Sequence, residues 1–483
     1  MNIKMMGRFI AQIIAVEAVF VIPALLISVG YAEGPAIRAF LITIGIMLAL
    51  AGLLYGLCRK AGKLFGAREG FACVGLSWIV MSLLGALPFV LCGQVKGYVN
   101  ALFEIVSGFT TTGSSVISDV ESLYRGILYW RSFSHWIGGM GVLVFLLAIV
   151  PGGKGAGFTM HLLRAESPGP DVGKLVPKMR QTAMILYVIY IVLTIINFLF
   201  LLAGNMNWLL ALCTAFGTAG TGGFGVFNNS IAGASPYLQN VTTVFMFLFG
   251  INFSCYYLLL MGRLRSVWKD TELRMYVGLA VACVIALVVC IRPLYGSLGE
   301  TVRHGAFQVS SIMTTTGYVT TDFDLWPSIA KAILVLLMIV GACAGSTGGG
   351  FKCIRVLLLF KILKRNIRQI LNPQKVQVIR CNGKVVDEKV VSNINAYLAA
   401  YMIIVVLTTL VLSLDGFSLE TNLSAALATF NNIGPGLGAV GPTCTFAGYS
   451  VLSKLVMILA MLAGRLEIFP ILVLFSRSTW SRK

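Results

Sequence analysis

Apolar runs of about twenty residues recur along the whole chain, separated by short polar connections, which is the pattern of membrane-spanning helices. Ten spans are predicted, at 9–30, 37–57, 70–92, 130–150, 182–203, 237–261, 275–296, 327–363, 394–414 and 450–476. The first two follow each other so closely that the first is not simply a removable signal peptide. Other apolar stretches are too short to cross a bilayer, and they recur between the spans. The fold class that follows is an all-α polytopic membrane protein.

Composition sharpens this picture. Of 483 residues, 58% are hydrophobic and 11% charged, against about 25% charged in soluble domains. Lys and Arg number 37 against 18 acidic residues, for a formal charge of +19. In a soluble chain that excess would suggest nucleic acid. Here 28 of the 37 basic residues fall in segments 1–8, 59–69, 152–180, 262–274, 352–389 and 477–483. Those segments share one side of the membrane if the N-terminus is cytoplasmic, so the positive-inside rule sets both termini inside and no nucleic-acid partner is implied. The basic loop 352–389, with Lys361, Lys364, Arg365, Arg368 and Lys375, suits lipid headgroups or a cytosolic partner. Eleven scattered cysteines without a Cys-x-x-Cys pair suggest neither a disulfide framework nor a zinc site. No catalytic triad or metal-ligand cluster stands out, so the chain does not read as an enzyme.

The short apolar stretches carry an internal repeat. Ala101–Gly113 aligns without gaps on Gly305–Gly317, with six of thirteen positions identical, including a shared Thr-Thr-Thr-Gly ending. Weaker copies are Leu210–Gly222 and Asn422–Gly434, and the marker glycines are spaced 109, 95 and 117 residues apart. Each copy follows one span and precedes another. The chain therefore divides into an N-terminal transmembrane hairpin (1–68) and four pore repeats, at 69–152, 172–265, 270–365 and 390–477. Each repeat is a span, a half-length helix of some ten to twelve residues, a Gly-ended filter loop and a second span. Irregular backbone at membrane depth must be buried in protein or line water, so four such units are expected to surround one pore with pseudo-fourfold symmetry. Thr and Gly permit an extended backbone whose carbonyls can replace a cation's water shell. The half-helices aim the negative ends of their dipoles at the same cavity, which favours a monovalent cation.

These residues resemble the Trk/Ktr/HKT superfamily of potassium-uptake proteins, most closely its TrkH-like branch, over the whole chain. The resemblance rests on Phe109-Thr-Thr-Thr-Gly-Ser114, Ser134-His-Trp-Ile-Gly-Gly-Met-Gly-Val142, Thr221-Gly-Gly-Phe224, Thr314-Thr-Thr-Gly-Tyr318, Ala344-Gly-Ser-Thr-Gly-Gly-Gly-Phe-Lys352, Asn431-Asn-Ile-Gly-Pro-Gly-Leu-Gly438 and Gly464-Arg-Leu-Glu-Ile-Phe-Pro470. It implies potassium uptake across the cytoplasmic (inner) membrane of a prokaryote, with K+ as the transported ion and no organic cofactor on this chain. It also implies a homodimer with one pore per subunit and a cytosolic nucleotide-binding regulatory subunit of the TrkA/KtrA type. Carried onto this chain, the ion-coordinating positions are Thr111, Thr112, Gly220, Thr221, Thr315, Thr316, Asn432 and Ile433. The filter glycines are Gly113, Gly222, Gly317 and Gly434. The second loop, Thr218-Ala-Gly-Thr-Gly222, offers two Thr-x-Gly registers. A sodium-conducting relative, or a cation symporter coupled to H+ or Na+, remains the alternative.

Further constellations bear on control. The glycine-rich stretch 341–350 interrupts the span 327–363, and it lacks the Lys-Ser/Thr and preceding strand of a phosphate-binding loop. Glycines at this density break a helix. The resemblance makes Gly345, Ser346, Thr347, Gly348, Gly349 and Gly350 an intramembrane gate below the filter. Arg465, at the centre of the last span, is costly there and must face the interior. It either closes an ion pair with another repeat or, as in the family, sets a positive barrier in the ion path. His135 and Arg131 share a helix face and are expected to pack or hydrogen-bond near the outer interface. Intramembrane acids are expected to be nearly absent apart from Glu17 and Glu467.

Overall fold

The computed structural model describes residues 2–59, 67–141, 179–374 and 377–480. The helices are α1 (Ile3–Gly30), α2 (Gly34–Leu57), α3 (Ala67–Gly85), α4 (Leu87–Leu91), α5 (Tyr98–Phe109), α6 (Arg125–Gly139), α7 (Met179–Ala203), α8 (Trp208–Ala219), α9 (Pro236–Phe249) and α10 (Phe253–Leu260). They continue as α11 (Leu264–Trp268), α12 (Thr271–Ile291), α13 (Leu298–Met313), α14 (Ser328–Val340), α15 (Cys353–Leu371), α16 (Glu388–Leu412), α17 (Leu419–Phe430), α18 (Val451–Arg465), α19 (Phe469–Phe475) and α20 (Arg477–Trp480). A two-stranded hairpin, β1 (Arg380–Cys381) and β2 (Lys384–Val385), interrupts this all-helical order. Many helices start behind a residue whose side-chain oxygen takes an orphan N–H. Asn2, Asn207, Asp270, Ser297, Ser418 and Ser450 do so for α1, α8, α12, α13, α17 and α18.

Hydrophobic side chains lie on the outside as well as the inside. On α7, Val188, Val192, Ile195, Leu199 and Phe200 are exposed, as are Met402, Ile403, Val406, Leu407 and Leu410 on α16. A helix that is apolar all round is covered by protein on one side and by lipid on the other. Among the described residues six helices are long and apolar enough to cross a membrane, and the pair α9 and α10, bent by 89°, adds a seventh if it is counted as one span.

That count departs from the ten continuous spans expected. The expected spans 237–261, 327–363 and 450–476 are each broken, between α9 and α10, α14 and α15, and α18 and α19. The span expected at 130–150 begins as α6 and is described only to Gly141. The basic segment 152–180 lies almost wholly outside the described residues. The breaks have a local cause: Gly138-Gly-Met-Gly141, Gly250-Ile-Asn252, the 341–352 loop and Gly464-Arg-Leu-Glu-Ile468 each interrupt an apolar run. Glu467 and Ile468 even carry left-handed φ values of 55° and 68°, which no helix interior accommodates.

The four short helices α5, α8, α13 and α17 form the inner layer. Each packs against two neighbouring helices: α5 on α18 and α6, α8 on α6 and α9, α13 on α9 and α14, α17 on α14 and α18. Followed in order, these contacts close on themselves. The hairpin α1–α2 stays outside that circuit, with α1 packed on α2, α3 and α6.

Candidate functional site: a ring of four loops

Each short helix ends in the same way. Thr111, Thr221, Thr315 and Asn432 take left-handed φ values of 56°, 54°, 58° and 57°. The next residue sends its N–H back to a carbonyl five positions earlier: Thr112 to Ser107, Gly222 to Gly217 and Thr316 to Ser311, all at 2.8 Å, and Ile433 to Ala428 at 2.9 Å. This is a Schellman closure, which normally puts Gly or Asn at the left-handed position. A β-branched threonine there costs about 1–3 kcal/mol. The chain accepts that cost three times. Two residues beyond each left-handed position stands a glycine with positive φ: Gly113 (83°), Gly223 (74°), Gly317 (85°) and Gly434 (106°).

These glycines close a ring. A methyl group on Gly113 would collide with the carbonyl oxygen of Gly222, one on Gly223 with that of Thr316, and one on Gly317 with that of Ile433. On Gly434 it would lie 3.1 Å from the carbonyl oxygen of Thr112, which returns to the first loop. Hydroxyls lock the ring: Ser114 Oγ donates to the Gly434 carbonyl (2.9 Å), and Asn432 Nδ2 donates to Thr112 Oγ1 (2.9 Å). Within loops, Thr110 and Thr112 hydroxyls are 2.7 Å apart, and those of Thr314 and Thr316 are 2.8 Å apart.

The same contacts fix the register of the second loop, one residue later than the reading adopted from the sequence. Gly223, not Gly222, has the positive φ and touches the next loop, so Thr221-Gly222-Gly223 matches Thr111-Thr112-Gly113. Gly220 falls at the end of α8, its Cα side against the backbone of His135. The other expected loop residues, Thr111, Thr112, Gly113, Thr221, Gly222, Thr315, Thr316, Gly317, Asn432, Ile433 and Gly434, come together in the ring. A cavity of about 120 Å³ opens on one side of it, lined by Gly113, Gly223, Gly317 and Gly434 together with Ser114, Val319 and Pro435.

Comparison with known proteins settles the lineage. The TrkH family, described as a cation transport protein, matches residues 36–482. The chain belongs to the TrkH family. It is similar to the Trk system potassium uptake protein TrkH of Escherichia coli (strain K12), 34% identical over 99% of this chain and 100% of the relative. TrkG of the same strain, also a Trk system potassium uptake protein, is 31% identical over 99% of both chains. The crystal structure of the potassium transporter TrkH from Vibrio parahaemolyticus superposes with a TM-score of 0.90 at 30% identity, covering 100% of both chains. The family is one of membrane transport proteins, not enzymes.

Within this TrkH-family chain, the glycine-rich loop lies against the ring on the side away from the cavity. The Gly349 N–H donates to Thr315 Oγ1 (2.6 Å), the Gly350 N–H to the Asn431 carbonyl (3.0 Å), and Thr347 Oγ1 to the Phe249 carbonyl (3.2 Å). Glycines are needed here because side chains at Gly348 and Gly349 would run into the Thr314 and Asn431 carbonyls. Arg465 reaches into the same layer. Its guanidinium donates to the carbonyls of Thr347 (2.8 Å), Gly139 (2.6 Å) and Gly138. Its neighbour Glu467 pairs with Arg355, whose guanidinium also stacks over Tyr397 at 4.0 Å.

Two further acids are bound into this region, where the sequence reading expected intramembrane acids to be nearly absent apart from Glu17 and Glu467. Glu104 on α5 is fully buried and pairs with Arg131 Nε at 2.6 Å. It also accepts from Ser115 Oγ and the Val116 N–H, while Arg131 donates to the Gly225 carbonyl and lies 3.6 Å over the Phe224 ring. Arg131 therefore braces the first and second loops together. His135 does pack and hydrogen-bond as expected, to the Gly108 carbonyl (2.8 Å) and the Phe224 N–H (3.3 Å). Glu272, at the start of α12, accepts the N–H groups of Ala344 (2.6 Å) and Ile354 (3.1 Å), which flank the glycine loop. Sequence distance hid these pairs; Glu104 was visible only as an acid in an otherwise apolar repeat unit.

Proposed function

We propose that the chain takes up potassium across a bacterial cytoplasmic membrane through the ring of four loops. The observation that carries this reading is the closed circuit of glycine-to-carbonyl contacts through Gly113, Gly223, Gly317 and Gly434. Such a ring leaves no side chain in the constriction and offers stacked backbone oxygens to a cation that has shed its water. Coordination falls to the carbonyls of Thr111 and Thr112, Thr221 and Gly222, Thr315 and Thr316, and Asn432 and Ile433. The loop Gly345–Gly350 with Arg465 acts as the gate, because both lie in the layer beneath the ring. Lys361, Lys364, Arg365 and Arg368 on α15 continue directly from that loop and take the force of a cytosolic nucleotide-binding subunit. Both termini face the cytoplasm, lipid surrounds the apolar helices, and two copies assemble with one pore each. Relatives named as Trk system potassium uptake proteins over the full length support the choice of ion. Ion flux into liposomes, compared for potassium, rubidium, sodium and lithium, tests it. Flux that favours potassium and rubidium fits; equal or larger sodium flux, or flux tied to a proton or sodium gradient, replaces it with the sodium-conducting or coupled reading.

A further inference from the structure

α1 runs for 28 residues without interruption and carries Glu17 at its middle. Glu17 is 1% exposed, and neither carboxyl oxygen has a hydrogen-bond partner among the described residues. Its surroundings are defined by Gly85 at the end of α3. A methyl group there would lie 3.1 Å from Glu17 Oε1, 3.1 Å from the Ile105 side chain and 2.9 Å from the Phe109 ring. The carboxyl thus sits where α1, α3 and the last turn of α5 meet, directly behind the first loop. Trp78 and Ser82 share the helix face of Gly85 by their spacing, and Trp78 Nε1 and Ser82 Oγ are buried and without a partner among the described residues.

The charges on the surrounding elements are engaged or remote. On α6, Arg131 is held by Glu104 of α5, and His135 by Gly108 and Phe224. Arg125 begins α6, and its N–H and that of Gly126 are taken by Glu33, beside the start of α2. Arg38 lies in the first turns of α2, level with the far end of α1. On α3, Arg68 and Glu69 lie in the first turn, while Gly85 is its last residue. Lys4 and Arg8 lie nine or more residues back along α1, about 13 Å or further at 1.5 Å per residue. An ionised carboxylate in such a place lacks compensation, whereas a neutral acid does not need it. A potassium or sodium ion would need a shell of oxygens, and the unpartnered oxygens here are those of Glu17 and Ser82.

We propose that Glu17 is a proton-binding site: the carboxyl is kept as the neutral acid in the membrane interior, wedged between the hairpin and the first pore helix. Losing the proton leaves a bare charge beside Phe109, one residue before Thr110, so the packing of the first loop is linked to proton occupancy. The reading stands whether or not the ring conducts potassium, and the test does not use flux.

The full-length protein in liposomes is treated with dicyclohexylcarbodiimide, an apolar reagent that attacks protonated carboxyls, and the modified residue is mapped by peptide mass. Glu17 is labelled at mildly acidic and neutral pH, the labelled fraction falls about tenfold per pH unit above its transition, and sodium or potassium at constant pH has no effect. Infrared spectra add a readout that needs no reagent access: Glu17→Gln lacks one protonated-carboxyl stretching band present in the parent. An unchanged infrared band in Glu17→Gln, or labelling suppressed by sodium or potassium, overturns the proposal. Should Glu17→Gln fail to fold, the pH and cation dependence of parent labelling decides alone.

Discussion

The ring of loops and the layer beneath it are built by opposite means. Above, four segments, of which the first and third share Thr-Thr-Thr-Gly and the others diverge, repeat one backbone plan: a left-handed residue, an N–H returned five positions, and a glycine against the next loop. Below, the three helix breaks among the described residues agree only in position. Two of them are a few residues long, at Gly250–Asn252 and Leu466–Ile468, while the third is the twelve-residue loop 341–352 between α14 and α15. Arg465 of the last quarter sends its guanidinium across that layer, to carbonyls of α6 and of the loop. Equivalence above suits a site where each quarter must present the same oxygens. Inequality below suits a device in which one quarter moves against the other three.

The comparison can be broken most severely in the ring. Gly113, Gly223 and Gly317 combine positive φ with a neighbour's carbonyl where a side chain would go, so serine at any of them meets backbone strain and collision together. Strain of about 1–2 kcal/mol and overpacking of about 1–3 kcal/mol are expected, with potassium flux reduced by more than about tenfold and selectivity relaxed. Gly434 has 3.1 Å to its nearest atom, so Gly434→Ser should be the mildest of the four. Flux and cation-selectivity assays on the set check the order. Equal effects at all four, or none, would show that the circuit of contacts is not the conducting constriction.

Next comes the lower layer. Deleting Gly345–Gly350 removes the loop's bonds to Thr315 and Asn431 and the Thr347 carbonyl that Arg465 holds. Basal flux should rise several-fold, regulation by a cytosolic subunit should weaken, and the preference for potassium should persist. Arg465→Ala should raise flux in the same direction, since charge-assisted bonds worth about 1.5–3 kcal/mol each are lost from the closed layer. Flux measured alongside gel filtration separates opening from unfolding. A folded deletion variant as closed as the parent would reduce the loop to a packing kink.

A third perturbation bears on how the ring is braced. Glu104→Gln leaves Arg131 buried without its carboxylate, and breaking such a pair costs about 3–5 kcal/mol. Thermal stability in detergent should fall clearly, whereas the joint change Glu104→Gln with Arg131→Met should recover part of it. A single variant as stable as the parent would mean that Ser115 and Val116 hold the first loop unaided.

Which parts were legible follows from the range of the forces. Spans, half-helices and the Thr-Gly endings are local patterns, and the alignment of Ala101–Gly113 with Gly305–Gly317 led straight to two quarters of the ring. The second loop was misregistered by one residue because Thr221-Gly222-Gly223 contains adjacent glycines, and only contact with Thr316 distinguishes them. The breaks at Gly250–Asn252 and Leu466–Ile468 were read through as continuous helix, since a few residues barely disturb an apolar run. Glu104–Arg131, Arg355–Glu467 and Glu272 with the loop pair residues 27, 112 and about 70–80 positions apart. No periodicity encodes such distances.

The smallest effect expected is at Glu272. Its carboxylate takes the N–H groups of Ala344 and Ile354, on either side of the glycine loop, and thereby sets the distance between the ends of that loop. Beside it, Asn382 of the β1–β2 hairpin binds both Thr271 and Asp270, so under the proposed regulation a pull on β1 and β2 would reach the residue next to the clamp. Both N–H groups go to the same oxygen, Oε1, so Glu272→Gln keeps an acceptor for them and removes the charge that strengthens the two bonds. The loss is that charge assistance, about 1–3 kcal/mol over the two bonds, confined to a local opening of the loop rather than the global fold. Hydrogen exchange should therefore quicken at Ala344 and Ile354 while thermal stability stays close to that of the parent, and basal flux should rise by a small factor. Exchange unchanged at both amides would show that the loop's hold comes from the ring above it, through Thr315 and Asn431, and not from the clamp below.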